Sequence, residues 1–415
     1  MSTVVPLRKN RNYSILWGAQ AASEVGFNAV TIALPLLVLV VTGSAAASGL
    51  AVGASAAAQL VAGLPAGALV DRWDRKRVML LCEAGQVLAA ASIAAALWFD
   101  VLGLAHIIAA AALMGLCRAF FEPAEHATLP RLVPAEQVHS AIAGNAARGY
   151  LGQLSGTALG GALFTLARVV PFVVDMVLHL CSFIALLFLR APTQERSRAS
   201  LRRLLPEIGH GLRWVWGQRF IRATAACLIG VNFFFSAFYI VIIVLAHQRG
   251  LSPAEIGIMA AMFGIGGLLG ALAAPALTRL LTPYLSIVGV FVALTLLTPV
   301  AVFIHNGYLM GLLLAGIAFL APTANVTIST YQLLLTPDEM RGRFSSVMAV
   351  LGGASAAAGP AVGGLLAGLA GGTEVILLCT AGIAVLTILA LLSPALRAFP
   401  DQKTLSTAQD EPAHH

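Results

Sequence analysis

Apolar residues run nearly unbroken along this chain, and charged or turn-forming residues divide them into twelve segments, 14–41, 46–70, 78–98, 103–122, 138–166, 169–189, 220–246, 253–278, 284–303, 308–333, 343–370 and 374–396. About 20 such residues span the hydrocarbon core of a bilayer as an α-helix. The pattern therefore predicts an all-α polytopic membrane protein with twelve transmembrane helices. The first segment has the flanks of a signal peptide, with Arg8, Lys9 and Arg11 before it and Ala45-Ala46-Ala47 after it. Its apolar run from Ile15 to Val41 is too long for a cleavable core of about 7–15 residues.

Composition agrees with that class: 59% of the 415 residues are hydrophobic and 10% charged, against roughly 25% charged in soluble domains. The five cysteines, Cys82, Cys117, Cys181, Cys227 and Cys379, are scattered through apolar stretches. That excludes a disulfide scaffold and leaves them as small core residues. The net charge of +7 reports topology rather than nucleic-acid binding, because the positive charges gather in alternate loops. Arg8, Lys9 and Arg11 precede the first segment; Arg72, Arg75, Lys76 and Arg77 follow the second. The same side receives Arg131, Arg190, Arg196, Arg198, Arg202, Arg203, Arg213, Arg219, Arg279, Arg341, Arg343, Arg397 and Lys403, and only Arg168 and Arg249 fall opposite. Both termini are expected in the cytoplasm, which requires an even number of spans.

The Arg-rich stretch 192–219 lies halfway along and divides the chain into a six-helix bundle at 1–189, a basic linker at 190–219, a second bundle at 220–397 and a cytoplasmic tail at 398–415. Two readings of the linker stand, an amphipathic helix on the anionic inner leaflet and a solvated connection. An internal repeat supports the division. Pro134, Glu136, Gly156, Gly160 and Gly161 recur 203 positions later as Pro337, Glu339, Gly359, Gly363 and Gly364, and Gly67-Ala68-Leu69 recurs as Gly270-Ala271-Leu272. Two halves related by a parallel repeat follow, since six spans return the chain to its starting side.

After the second segment stands Gly67-Ala68-Leu69-Val70-Asp71-Arg72-Trp73-Asp74-Arg75-Lys76-Arg77. Gly63 and Gly67 form a small face that admits another helix, and Asp71 is a boundary carboxylate able to pair with an arginine or a helix N-terminus. The fifth segment carries Gly152, Gly156, Thr157, Gly160 and Gly161. With Trp17-Gly18-x-Gln20-x-x-Ser23-x-x-Gly26, Ala33-Leu34-Pro35-Leu36, Leu64-Pro65-Ala66-Gly67, Phe120-Phe121-x-Pro123-Ala124, Leu129-Pro130-x-Leu132-Val133 and Arg341-Gly342-Arg343, these segments resemble the major facilitator superfamily. Within it they resemble the bacterial exporter subgroup that includes the enterobactin exporter and the macrolide efflux permeases. The resemblance implies a proton-driven exporter of a small amphiphilic or siderophore-like molecule in a bacterial inner membrane, working as a monomer. It implies a gate at Gly67, Asp71, Arg72, Arg75 and Arg77, with Asp74 standing where the wider family has Gly and Ala274 at the repeated aspartate position. Charges that only fix topology are the alternative reading of the loop. Gly152, Gly156, Gly160 and Gly161 resemble the exporters' antiporter signature, with Thr157 in place of its Pro. A leak-suppressing contact and a generic tight helix contact are the two readings there.

Charge inside a span costs at least about 2.5 kcal/mol and marks a functional interior. Glu24 lies near the middle of the first segment and Arg148 as deep in the fifth. Either Glu24 exchanges a proton, or the two form a fixed ion pair. Arg118 and Glu122 share a face at the end of the fourth segment. They loosely resemble the family's arginine motif, with Glu122 replacing its glycine and offering a relay to Arg75. Asp175 and His179 form a second titratable or structural pair, and Glu83 is placed to neutralise the basic loop. In the family the first, fourth, seventh and tenth spans line the cavity, which implies cargo contacts, or else helix packing, for Asn28, Thr31, Asn232, Phe235, Tyr239, Asn325, Tyr331 and Gln332. A uniporter or importer on the same scaffold would not need a titrating Glu24. An enzyme is excluded by the absence of His-Glu-x-x-His, Gly-x-Ser-x-Gly and phosphate-loop motifs, and the nine scattered histidines imply neither metal nor cofactor.

Overall fold

A computed structural model describes residues 7–190 and 204–397, so the linker residues Arg196, Arg198, Arg202 and Arg203 and the tail from 398 on lie outside the described residues. The first half comprises α1 (Arg11–Thr42), α2 (Ala45–Val70), α3 (Arg75–Trp98), α4 (Leu104–Leu132), α5 (Val138–Leu166) and α6 (Val170–Leu187). After α7 (Leu204–Gly217), the second half comprises α8 (Arg219–Gln248), α9 (Pro253–Leu280), α10 (Pro283–Leu297), α11 (Gly307–Leu335), α12 (Asp338–Ala370) and α13 (Gly372–Leu392), and α14 (Pro394–Arg397) closes the described chain.

Local chemistry sets these boundaries. Asn10, Ser44 and Asp74 cap α1, α2 and α3 by accepting the backbone N–H of Tyr13, Ala47 and Arg77. Gly43, left-handed at φ 64°, ends α1. Asp74, the departure in the loop motif, is thus the residue that starts α3. Eleven of the long helices are apolar enough by composition to cross a membrane. The twelfth, α5, carries Asn145, Arg148 and Gln153 on the surfaces it buries or turns to the interior. Outward faces carry exposed Leu81, Leu88, Leu272, Leu312, Leu369 and Leu392, a surface suited to lipid rather than water.

The halves repeat one packing plan. α1 packs on α5 and α6 as α8 packs on α12 and α13; α2 packs on α4 as α9 packs on α11; α3 packs on α4 and α6 as α10 packs on α11 and α13. The halves meet where α2 lies along α12 and α5 along α9. At the arginine-poor end these crossings are backbone against backbone. A Cβ on Gly364 would lie 2.7 Å from Ala45 O and from Gly49 Cα, and a Cβ on Gly257 would lie 2.8 Å from Gly161 Cα and 3.0 Å from Thr157 O. Toward the arginine-rich end the helices part beyond Leu60–Gly353 and Leu154–Gly264, and Gly63, Gly67, Gly149 and Gly267 face open space. A gap of about 440 Å³ between α2 and α12, lined by Gln59, Gly63, Leu64, Ser346 and Val350, opens there.

These contacts fix the repeat register. Gly161–Gly257 mirrors Gly364–Gly49, and Gly156 on Val25, Asn28 and Ala29 mirrors Gly359 on Phe233, Ser236 and Ala237. The shift is 203 for α5 and α12 but 208 for α1 and α8 (233 − 25) and for α2 and α9 (257 − 49). The recurrence of Gly67-Ala68-Leu69 at 270–272 is therefore out of structural register, and the counterpart of Asp71 is Arg279 rather than Ala274.

α7 is helical, as one reading of the linker expects. It docks on the second half through Val215 and Trp214, which pack on Ile221, Phe344 and Val347, while Trp216 stays exposed. Arg249, one of the two exceptions to the charge pattern, donates to the carbonyls of Val302 (2.8 Å) and Ile304 (2.6 Å) and so caps the turn after α10.

Candidate functional site

α4 continues ten residues past Glu122, through Pro123 and Pro130, so Arg118 and Glu122 lie in the middle of a span, not at its end. A proline only deletes one donor and forces a bend where neighbouring helices hold the chain. Arg118 is the hub of the first half's interior. Its Nε donates to Glu122 Oε1 at 2.7 Å, its Nη2 and Nη1 reach Glu24 Oε1 and Oε2 at 3.3 and 3.5 Å, and its guanidinium lies 4.3 Å from the centre of the Phe27 ring. Strong charge-assisted bonds lie near 2.7–2.9 Å, so Arg118 is committed to Glu122 and holds Glu24 loosely. Asn28 Nδ2 adds one long contact to Glu24 Oε2 at 3.3 Å.

Glycines bring α5 against the back of Glu24. A Cβ on Gly152 would lie 2.6 Å from Glu24 Cβ, one on Gly156 would lie 2.6 Å from Asn28 Cβ, and Gly160 sits on the backbone of Ala29. The stripe serves α1, whereas Gly161 faces the other half.

Arg148 does not pair with Glu24. Its Nη1 and Nη2 donate to Glu125 Oε1 and Oε2 at 2.6 and 3.2 Å, Asn145 adds a bond at 3.0 Å, and both charged side chains are buried. Glu125 escapes the sequence reading because that segment ends at Glu122; its signal is the 118, 122, 125 spacing on one helical face. Breaking a buried pair strands one charge at a cost of about 3–5 kcal/mol. Arg148→Ala is expected to lower the melting temperature sharply in detergent, and the double variant with Glu125→Leu to recover most of that loss.

Two further expectations are corrected. Glu122 does not relay to Arg75, which donates instead to Ala127 O at 2.9 Å and to Asp71 Oδ1 at 3.1 Å. Glu83 does not face the basic loop, because α3 turns it inward. It is 2% exposed and accepts from Gln20, Ser23 and Ser182, with His179 Nδ1 at 2.6 Å. Lys76 serves the loop by capping α6 at Leu187 O, 2.7 Å away. Arg72 and Arg77 stay near the surface.

The 208 register makes Asn232 the counterpart of Glu24, Phe235 that of Phe27 and Tyr239 that of Thr31. The second half thus carries an amide and aromatics where the first carries a charge. Asn232, Phe235, Phe263, Phe291, Asn325 and Tyr150 line a cavity of about 220 Å³. Phe263 stacks on Phe235 at 5.6 Å and meets Tyr239 at 5.4 Å. Whole drug-sized sites are roughly 300–1,000 Å³, so this cavity is smaller than a complete site of that kind. Thr31 is exposed and returns its hydroxyl to Phe27 O. Tyr331 and Gln332 do not line that cavity. Both are buried nearer the arginine-rich end, where Tyr331 packs near Phe220 and Gln332 donates to Thr224 at 3.1 Å.

The sequence profile of the Major Facilitator Superfamily matches residues 16–360. The chain is 29% identical over 407 residues, 92% of its length and 95% of the relative's, to the multidrug efflux pump Tap of Mycolicibacterium fortuitum. Among solved structures it is similar to the nucleoside transporter NupG, at TM-score 0.73 and 14% identity over 92% of this chain and 99% of that one. It is also similar to a bacterial homologue of the human lysosomal transporter Spinster, at 0.72 and 15% over 96% and 98%. These structures share its fold.

Proposed function

The chain belongs to the major facilitator superfamily, and we propose on that premise that it is a proton-coupled antiporter exporting small amphiphilic molecules from a bacterial cytoplasm by alternating access. The carrying observation is the contrast between the two walls: a loosely held Glu24 beside Arg118 on one side, and an uncharged aromatic wall on the other. A carboxylate that leaves a long contact to its arginine can take a proton while the arginine keeps Glu122. An aromatic wall with two amides binds an apolar body and a few polar groups, as in lipophilic drugs, macrolides and siderophore-like metabolites. The efflux-pump relative supports export.

With the arginine-rich end cytoplasmic under the positive-inside rule, both termini face the cytoplasm and the conformation is open inward. In the opposite state Gly63 and Gly67 receive α12, and Asp71, positioned by Arg75, meets the second half there as the gate. The test is proton release from everted membrane vesicles holding an imposed pH gradient, challenged in turn with tetraphenylphosphonium, a macrolide and a catecholate siderophore. Cargo-triggered collapse of the gradient is the expected result. Cargo movement that leaves the gradient untouched would put a uniporter in its place.

A further inference from the structure

Behind Glu24 lies a second set of ionisable side chains that the antiport reading does not use. Glu83 of α3 and Asp175 and His179 of α6 are 2%, 1% and 4% exposed. His179 Nδ1 contacts Glu83 Oε2 at 2.6 Å, and its Nε2 lies 3.3 Å from Asp175 Oδ1 with no hydrogen bond joining them. Gly26 lets Asp175 approach the α1 backbone, where any Cβ would lie 2.6 Å from Asp175 Oδ1. The facing groups are Gln20, Ser23 and Glu24 on α1, Cys82 and Gln86 on α3, Cys117, Arg118, Glu122 and Glu125 on α4, and Ser182 on α6, with Glu125 held by Arg148. Arg118, the one arginine among them, spends its bonds on Glu24 and Glu122.

With His179 as imidazolium between two carboxylates the cluster carries one net negative charge inside a bilayer, and one more proton makes it neutral. Asp175 Oδ1 and His179 Nε2 form a loose ion pair at 3.3 Å without hydrogen-bond geometry, while Glu83 Oε2 holds His179 Nδ1 at 2.6 Å. A narrow cavity of about 30 Å³, room for about two waters, touches Glu83, His179, Glu24 and Arg118 together.

We propose that Glu83, His179 and Asp175 bind one exchangeable proton, forming a second proton site in series with Glu24. This rests on the antiport reading for its purpose but not for its test. In the loaded state two protons are shared among the three bases. On unloading, one proton passes to cavity water and on to Glu24, and the imidazolium keeps the other.

Attenuated-total-reflection infrared spectroscopy of the reconstituted full-length protein, stepped from about pH 5 to about pH 9, reads the carbonyl band of protonated carboxyls. Loss of about half of the titrating band is expected in Glu24→Gln, loss of the other half in Asp175→Asn or Glu83→Gln, and all of it in the Glu24→Gln/Asp175→Asn double variant. A structural role would lower the melting temperature of the triad variants and leave the band intact. A full band in both Glu83→Gln and Asp175→Asn overturns the proposal; should one variant fail to insert, the other carries the test from the opposite helix. A full band in Glu24→Gln would instead remove Glu24 from the antiport reading and leave the triad site standing.

Discussion

Glu24→Gln is expected to abolish uphill transport while leaving downhill exchange of labelled cargo near the wild-type rate. Each proton coupled to export carries about 1.4 kcal/mol per pH unit, so a one-unit gradient sustains roughly a tenfold cargo gradient per proton. Glutamine keeps the size of the side chain and a hydrogen-bonding oxygen toward Arg118, but it carries no exchangeable proton. Arg118 keeps its 2.7 Å bond to Glu122 within α4, and the glutamine oxygen still accepts from Arg118 between α1 and α4, so the loss is confined to coupling. Proteoliposomes with and without an imposed gradient separate the two quantities. Gradient-driven accumulation that persists in Glu24→Gln would move the coupling proton elsewhere.

Much of this was legible in the sequence because membrane insertion writes the fold into composition. Twelve apolar segments, alternating arginines and recurring glycines suffice for two parallel six-helix halves. The fourth apolar segment ends at Glu122, yet α4 runs through Pro123 to Leu132 because neighbouring helices hold the bend, which moves Arg118 to mid-membrane and brings in Glu125. The repeat misled for a related reason. Gly160 and Gly161 keep their offset of 203 because α5 and α12 pair identically with their neighbours, but α1 and α2 sit 208 residues from α8 and α9, and a single shift cannot express both. Partner choice was beyond the sequence altogether. Arg148 takes Glu125 rather than Glu24, and Glu83 takes His179 rather than the basic loop, because helix rotation decides which charges meet.

Gly161→Ala combined with Gly364→Ala is expected to shift the conformational equilibrium toward the state open at the arginine-poor end. Both glycines sit in the crossings that hold that end shut, where a Cβ on Gly364 would lie 2.7 Å from Ala45 O and one on Gly161 would run into the Pro253 carbonyl. Overpacking of this kind costs about 1–3 kcal/mol, a shift of roughly 5- to 150-fold. The penalty falls only on the closed arrangement. In the open one, alanine in a helix is favoured over glycine by about 0.8–1.0 kcal/mol per position, so the variant should melt no lower than the parent. The reporter is Val38→Cys on α1, wholly buried in the present conformation among residues of both halves, in a background without the five native cysteines. Its labelling by a membrane-impermeant maleimide from the arginine-poor side should rise within that range, and export should fall. Unchanged labelling would mean that these crossings are not the contacts released when the halves rock.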